Sequence, residues 1–440
     1  MTENNTNENF QNTLYTGDNL YILHGMNSES VDLIYLDPPF NSKRMYSAPV
    51  GTKAAGISFK DMWTWKDVDE GYLEKITQDY PLLVKYIESI EGSQGMAMMS
   101  YVTYMTQRIL ECHRILKDTG SLYLHCDPTA SHYLKNLLDF IFGKKNFCNE
   151  IIWCYSTGGK SKRHFGRKHD VILFYSKNNE NYYFNDEDIR IEMTPHKSDS
   201  SGKSYGGKMG IDEDGRDYVE KQGSKDSGGN FRYYKYYLDE GKIPEDWWSD
   251  INSLQSKAKE RTGYPTQKPL ALLDRIIQAS CPEGGIVLDP FCGCATTCVS
   301  AQLLPNKRKW IGIDIEKKAA ELLIDRLTDA QGILFKDFIR RTDIPKRTDI
   351  EIILPTIDIK HKLFKQQNTC CNGCLVKLDI QHFEIDHVVP KSKGGGDYYE
   401  NYQLLCANCN RIKGNRPMEY LRIKIRAREE LIKDKITFGS

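Results

Sequence analysis

Three stretches of this chain pair reactive residue types with spacings that could do chemistry. The first is Leu36-Asp37-Pro38-Pro39-Phe40, which follows the apolar run Val31-Asp32-Leu33-Ile34-Tyr35. Proline lacks an N–H and fixes φ, so helix and ladder both stop after Asp37 and a rigid loop begins. An acid, a proline carbonyl with no competing ring N–H and an aromatic face suit an exocyclic amino group. Asp37 and the Pro38 carbonyl accept its two hydrogens, and Phe40 stacks on the ring. An ordinary turn after a strand is the alternative reading. The second stretch is Leu288-Asp289-Pro290-Phe291-Cys292-Gly293-Cys294-Ala295-Thr296-Thr297, again strand, acid and loop. A further strand, Trp310-Ile311-Gly312-Ile313, ends in Asp314, 25 residues after Asp289. An acid there in a βαβ unit is placed to hold ribose hydroxyls. NAD is the rival ligand, but the Gly-x-Gly-x-x-Gly pyrophosphate loop is missing. The third stretch carries Cys371-Asn372-Gly373-Cys374 and Cys406-Ala407-Asn408-Cys409, two knuckles with the spacing of a tetrahedral zinc site. Disulfides are the alternative, and Cys370 is a spare thiol.

The elements that must position these residues read as α/β. Val31–Leu36 has the β-branched and aromatic bias of a buried parallel strand, and ligands of open α/β sheets bind outside the carboxyl ends of strands. Met105, Ile109, Leu110, His113 and Leu116 form the apolar stripe of a helix over 101–118, closed by Lys117-Asp118-Thr119-Gly120. A strand over 121–126 ends in Asp127-Pro128. A helix runs from Ser131 to Phe142, and strands cover 151–155 and 171–175, the latter after His169-Asp170. The alternation predicts a doubly wound, Rossmann-like sheet with helices on both faces. Residues 41–100, with Trp63 and Trp65, read as a lid or as aromatics packing on a surface helix. Residues 178–262 lose periodicity, and Phe231-Arg232-Tyr233-Tyr234-Lys235-Tyr236-Tyr237 interleaves bases with aromatics, suited to phosphate contact and base stacking or to an internally packed hairpin. Residues 331–362, with Arg340-Arg341, Pro345 and Pro355, read as a linker.

Composition bounds the function. A chain of 440 residues holds two or three domains. Basic and acidic residues balance at 60 each, so any nucleic-acid surface is local. No run of 18 apolar residues occurs and the first residues are polar and acidic, which predicts no signal peptide, no anchor and no membrane partner. Most of the 13 cysteines sit singly or in metal spacing, so a reduced cytosolic protein is expected.

The two acid loops together resemble the permuted, β-class DNA amino-methyltransferases, the N6-adenine and N4-cytosine class that uses S-adenosylmethionine, across roughly residues 10–330. The catalytic strand comes first, the recognition region next and the cofactor loop last, as in that class. The resemblance implies that Asp37, Pro38, Pro39 and Phe40 hold the target base. Asp18, in Tyr15-Thr16-Gly17-Asp18, would accept the cofactor's adenine amino group, although a helix cap is the plainer reading. Thr266 and Lys268, in Thr266-Gln267-Lys268-Pro269, would face the cofactor's methionine end; without the resemblance Thr266 is a capping residue. Asp289 suits the ammonium group, Asp314 the ribose, and Phe291, Gly293 and Thr296 complete the cofactor set, with Cys294 where a second glycine is usual. Asp in the first motif position leans toward adenine N6 over cytosine N4. The sequence has no Pro-Cys dipeptide, which disfavours the C5-cytosine mechanism, and no ATP-binding Gly-x-x-x-x-Gly-Lys-Ser/Thr loop.

Between and after the knuckles lie Asp386-His387-Val388-Val389-Pro390, Gly394-Gly395-Gly396, Asn401, Asn410 and Lys413-Gly414. Residues 363–417 resemble the HNH nucleases, which implies a small zinc-bound ββα-metal domain. His387 would be the general base, Asn401 would orient its ring, and Asp386 with Asn410 would hold magnesium or manganese. Cys371, Cys374, Cys406 and Cys409 would hold the structural zinc. The expected organisation is a disordered tail over 1–12, a catalytic half over 13–177, recognition over 178–262 and a cofactor half over 263–330. A linker over 331–362, the nuclease over 363–425 and a tail over 426–440 follow. The expected function is a single-chain restriction–modification protein that methylates adenine in double-stranded DNA and cuts it. It would be cytoplasmic and nucleoid-associated in a prokaryote or phage, and could form a homodimer. Competing readings are N4-cytosine methylation, RNA methylation, and a methyltransferase whose C-terminal module only grips DNA.

Overall fold

The computed structural model describes residues 12–156, 162–193, 207–255, 257–332, 335–416, 418, 420–422 and 424–425. The tail expected over 1–12, apart from Asn12, and the tail over 426–440 lie outside the described residues. Strand β1 (Thr13–Thr16) leads through α1 (Asn19–Gly25) to β2 (Val31–Leu36). A hairpin of β3 (Arg44–Ser47) and β4 (Ser58–Asp61) follows, then α2 (Glu70–Asp79), α3 (Pro81–Gln94) and α4 (Met96–Ile115). Next come β5 (Leu116–Cys126), α5 (Ser131–Phe142), β6 (Phe147–Cys154) and β7 (His169–Ser176). Strands β8 (Lys208–Ile211), β9 (Asp217–Lys225) and β10 (Phe231–Tyr237) form a separate antiparallel sheet, and β11 (Trp247–Trp248) returns to the main one. The chain continues through α6 (Leu270–Ser280), β12 (Ile286–Asp289), α7 (Thr296–Leu303), β13 (Lys309–Asp314), α8 (Lys318–Gln331) and β14 (Ile339–Arg341). A C-terminal module holds α9 (Ile357–Gln366), β15 (Phe383–His387), β16 (Tyr402–Cys406) and α10 (Ala407–Lys413).

The main sheet has nine strands in the order β11-β6-β7-β5-β2-β12-β13-β1-β14. Every residue of β2 is buried, which is why it reads as a continuous apolar run. Successive side chains of a strand face opposite sides. Ile34 and Leu36 accordingly pack with Val102, Met105 and Ile109 of α4, while Leu33 and Tyr35 pack with Leu273, Ile276 and Ile277 of α6. The sheet is thus covered on both faces, and each fully buried Leu or Ile contributes ~1.5–3 kcal/mol. Strands β2 and β12, from opposite halves of the sequence, lie side by side and parallel, Val287 against Leu33 and Leu288 against Ile34.

The sheet is mixed, because β7 runs antiparallel to both β5 and β6. The structure departs from the sequence expectations in two places. The helix expected to end at Lys117-Asp118-Thr119-Gly120 stops at Ile115, and those four residues lie inside β5. Gly120 allows this, since a Cβ there would sit 2.6 Å from Leu116 Cδ1 and 2.9 Å from the Asp32 carbonyl oxygen. The segment expected as a linker supplies β14, which pairs with β1, and the first part of α9, whose Ile359 joins the core of the C-terminal module. Trp63 is buried against Tyr101 and Tyr104 of α4 and, with Trp65, lines the main cavity of the molecule. Gly120→Ala should lower the unfolding free energy by about 1–3 kcal/mol through overpacking, measured by urea titration.

Candidate functional site

The carboxyl ends of β1, β2, β12 and β13 deliver Asp18, Asp37, Asp289 and Asp314 to the wall of one cavity of about 950 Å³. Asp37 follows β2 directly, and each of its carboxylate oxygens accepts a 2.7 Å hydrogen bond from Lys268 Nζ. Pro38 is buried and lines the cavity. Phe40 lies nearly parallel to the His125 imidazole, with ring centres 5.9 Å apart and planes at 21°. His125 is fully buried and bonds the Tyr35 hydroxyl through Nδ1 at 2.9 Å and Asp170 through Nε2 at 3.1 Å. Burial pushes its imidazole below the usual range, and the Lys268 charge adds to that. One face of the Phe40 ring is therefore backed by a fixed neutral ring.

Asp289 accepts the Phe291 N–H at 3.0 Å and the Thr297 hydroxyl at 2.6 Å, and neither partner carries charge. Burial pushes its carboxyl up to about 7. Asp314 accepts the N–H groups of Glu316 at 2.7 Å and Gly293 at 2.8 Å, and burial pushes it up to about 6. Gly293 has φ of +52°, and a Cβ there would stand 3.0 Å from the Tyr264 ring. The loop therefore needs glycine on two counts. Carboxylates driven toward neutrality by burial are relieved by a ligand that brings positive charge or hydroxyl donors, so this donor set fits the expected cofactor.

Four expected cofactor residues have other partners here. Lys268 pairs with Asp37, because the segment before α6 crosses directly over the β2 loop. Asp18 caps α1 through the Leu20 N–H at 3.0 Å and pairs with Arg108 at 3.0 Å, while still lining the cavity. Thr266 does not cap α6, whose first N–H is taken by Glu260 at 3.0 Å; it lines the cavity in an exposed left-handed turn, φ +64°. Buried Thr296 accepts from Arg326 at 2.8 Å. Half-buried Phe291 lies 6.5 Å from the Tyr104 ring.

Sequence reasoning missed Asn19 and Arg108. Asn19 donates to the Pro290 carbonyl at 2.7 Å and accepts from Arg108 Nε at 2.6 Å, which ties α1, α4 and the β12 loop together. The available signal was an arginine on the apolar stripe of α4.

In the C-terminal module β15 and β16 pair antiparallel and α10 packs behind them. The sulfurs of Cys371, Cys374, Cys406 and Cys409 all lie within 4.8 Å of one another, a closed set of four that fits tetrahedral zinc. His387 Nε2 lies 2.9 Å from Asp397 Oδ1. Asp397 is held by Lys391 at 2.7 Å and Tyr402 at 3.0 Å, and the Lys391 hydrogen bond drives its carboxyl down to about 2. As an acceptor, Asp397 fixes the imidazole proton on Nε2 and leaves Nδ1 to take a proton. Asn401 does not orient this ring. Its amide bonds Val389 N–H at 2.8 Å and the Val389 and Gly396 carbonyls at 3.0 Å, so it shapes the loop backbone instead. Asp386 takes hydrogen bonds from Gln403 and from buried Lys413, both 2.9 Å to Oδ2, and Asn410 donates to Glu384 at 2.5 Å. The oxygen donors Glu384, Asp386 and Asn410 suit a hard divalent cation, through atoms outside those contacts. Asp397 was missed because only folding of the triglycine turn brings it back to His387.

Comparison with known proteins identifies both parts. Residues 31–325 match the family model described as DNA methylase, of the N6/N4 type, and residues 371–416 match the HNH endonuclease model. The chain belongs to the N6/N4 DNA methylase family and carries a C-terminal HNH domain. It is 29% identical over 316 residues to the DNA adenine methyltransferase YhdJ of Escherichia coli K12, covering 72% of this chain and 82% of that one. It is 27% identical over 381 residues to the type II methyltransferase M.EcaI of Enterobacter cloacae, covering 78% and 75%. Similar solved structures include the PvuII cytosine-N4-specific DNA methyltransferase, with TM-score 0.41, 14% identity, and 73% and 92% of the two chains covered. Among the described residues no helix is long and apolar enough to cross a membrane.

The buried acids have a consequence for stability. Asp289 titrates near 7 folded, against about 4 for an unfolded aspartate, so the folded state holds more protons between those values and stability falls as pH rises through that window. Asp289→Asn should therefore stabilise the ligand-free protein at pH 8 by on the order of a few kcal/mol, and the gain should vanish near pH 4. Urea unfolding at several pH values measures this.

Proposed function

We propose that this chain is a single-chain restriction–modification protein of a prokaryote or phage, acting in the cytoplasm on double-stranded DNA. It methylates adenine N6 at a specific sequence, and its HNH domain cuts DNA. The observation that carries the reading is the meeting of Asp37, Pro38 and Phe40 with Asp289 and Asp314 on one cavity. S-adenosylmethionine, when bound, supplies an electrophilic methyl group. Asp289 would hold its ammonium group, Asp314 its ribose hydroxyls, and Asp18 with Asn19 the turn at its adenine. The target base leaves the duplex at a cost of ~a few kcal/mol. Asp37 and the Pro38 carbonyl accept hydrogen bonds from its amino group and steer the nitrogen lone pair toward the methyl, while Phe40, backed by His125, stacks on the ring. Lys268 holds Asp37 through both carboxylate oxygens, so positioning rather than covalent chemistry supplies the rate. The aspartate of the motif and the adenine activity named for the Escherichia coli relative favour N6 over N4.

Strand β10, exposed on both faces, supports target contact. Phe231, Tyr233, Tyr234 and Tyr236 are exposed, with Lys225 4.8 Å from the Phe231 ring and Lys221 5.3 Å from the Tyr236 ring. Such a surface combines phosphate charge with stacking. In the nuclease domain His387, held by Asp397, would take a proton from water. Asp386 and Asn410 would hold magnesium or manganese, which stabilises charge on the phosphate. The four cysteines would hold structural zinc.

Purified protein with tritiated S-adenosylmethionine and DNA tests the methylation. Wild type should label adenine, and Asp37→Ala should lose at least ~100-fold in rate; label in cytosine, or in RNA but not DNA, overturns the base or substrate assignment. His387→Ala should abolish magnesium-dependent cutting while leaving methylation within about twofold, since the two sites share no reacting atoms. Cutting that survives His387→Ala removes the nuclease assignment. The affinity for S-adenosylmethionine should rise as pH climbs through about 7, where Asp289 ionises, and Asp289→Asn should flatten that rise.

A further inference from the structure

The loop after His387 reaches into the methyltransferase. Lys393 belongs to the nuclease domain, yet it lines the same cavity as Asp18, Asp37 and Asp289. Its ammonium donates to the Tyr21 hydroxyl at 2.9 Å and stands 3.7 Å from the Asp69 carboxylate. Tyr21 donates in turn to Asp69 at 2.7 Å, and Asp69 caps α2 by accepting the Tyr72 N–H at 3.0 Å. Both Tyr21 and Asp69 also line the cavity. Tyr21 stands on α1, three residues past Asp18, where the adenine is expected. The next residue of the loop, Gly394, has φ of +87°, and a Cβ there would sit 3.0 Å from the Tyr21 carbonyl oxygen. A second tie lies behind it: Tyr398 bonds His24 Nε2 at 3.0 Å, and His24 Nδ1 pairs with Glu111 at 3.3 Å, with both side chains of that pair only 6% exposed. The same loop carries Asp397, the partner of His387.

We propose that the nuclease domain supplies one wall of the cofactor cavity: Lys393 is a positioning residue that holds Tyr21 and Asp69 beside the Asp18 turn, so that cofactor binding and the ordering of the His387–Asp397 loop are coupled. The proposal rests on the reading of the cavity as the S-adenosylmethionine site. Its physical content is reciprocal. If the loop helps shape the cavity, a ligand in the cavity must favour the docked loop by the same factor. Removing Lys393 leaves Asp69 without its cation and Tyr21 without its donor at the cavity edge, which should loosen α1 and α2 together.

The test uses the full chain and S-adenosylhomocysteine, which binds without transferring a methyl group. Titration calorimetry should give Lys393→Ala an affinity about 3- to 10-fold weaker than wild type, the scale of one ordinary hydrogen bond. Lys365→Ala, which removes the same charge from α9 away from the cavity, should bind as wild type does. Hydrogen–deuterium exchange of residues 388–398 in the wild-type chain should slow on saturation with S-adenosylhomocysteine, a change that a merely structural lysine would not produce. If wild type binds and either the Lys393→Ala affinity or the exchange of the loop is unchanged, the coupling is overturned. If wild type fails to bind, the cofactor reading of the cavity is what fails.

Discussion

Val287 and Leu288 of β12 pair with Leu33 and Ile34 of β2, and the Asp32 carboxylate takes the Ile286 N–H at 2.8 Å across 254 residues of sequence. Closing such a loop costs on the order of 5 kcal/mol in chain entropy, and it grows only slowly with length. The buried side chains of β2 and β12 offset that. What the pairing delivers is the adjacency of two strand ends. Asp37 leaves one and Asp289 ends the other, so the loop proposed to hold the base and the loop proposed to hold the cofactor open on one cavity. The sheet of β8, β9 and β10, which lies between them in the chain, takes no part in that join.

That adjacency crowds negative charge. Asp37, Asp289 and Asp314 share the cavity wall, and the fold answers them differently. Asp37 receives a lysine, whereas Asp289 and Asp314 receive only N–H and hydroxyl donors and are pushed toward neutrality by burial. One acid has its cation built in, while the two acids proposed to meet a ligand are left at a cost to the empty protein. Sites that conflict with stability in this way are where function is expected to reside. The HNH domain follows the same logic, with Lys391 holding Asp397 ionised beside His387.

Much of this was legible in the chain because the residues involved are local. The apolar run of β2, the prolines after Asp37 and the paired Cys-x-x-Cys knuckles announce themselves within a few residues, and the structure brings the four sulfurs together. What the sequence hid are partners that only folding brings near. Lys268 carries no mark that it reaches Asp37 rather than a cofactor, since the pair is 231 residues apart. Asn401 and Asp397 stand four residues apart, and spacing alone could not say which of them meets His387. Gly120 looked like a helix terminator because its real constraint, the Asp32 carbonyl pressing from the neighbouring strand, is invisible in a local window. The stretch over 331–362 looked like a linker because β14 draws its ladder partner from β1, at the other end of the chain.

The most direct test of the account is direct sequencing of unamplified DNA from a host expressing His387→Ala, which spares the genome from cutting, compared with the double variant Asp37→Ala/His387→Ala. The account expects N6-methyladenine at one sequence motif in the first and none in the second. A mark that persists without Asp37, or the absence of any mark while the protein is folded and present, would contradict it.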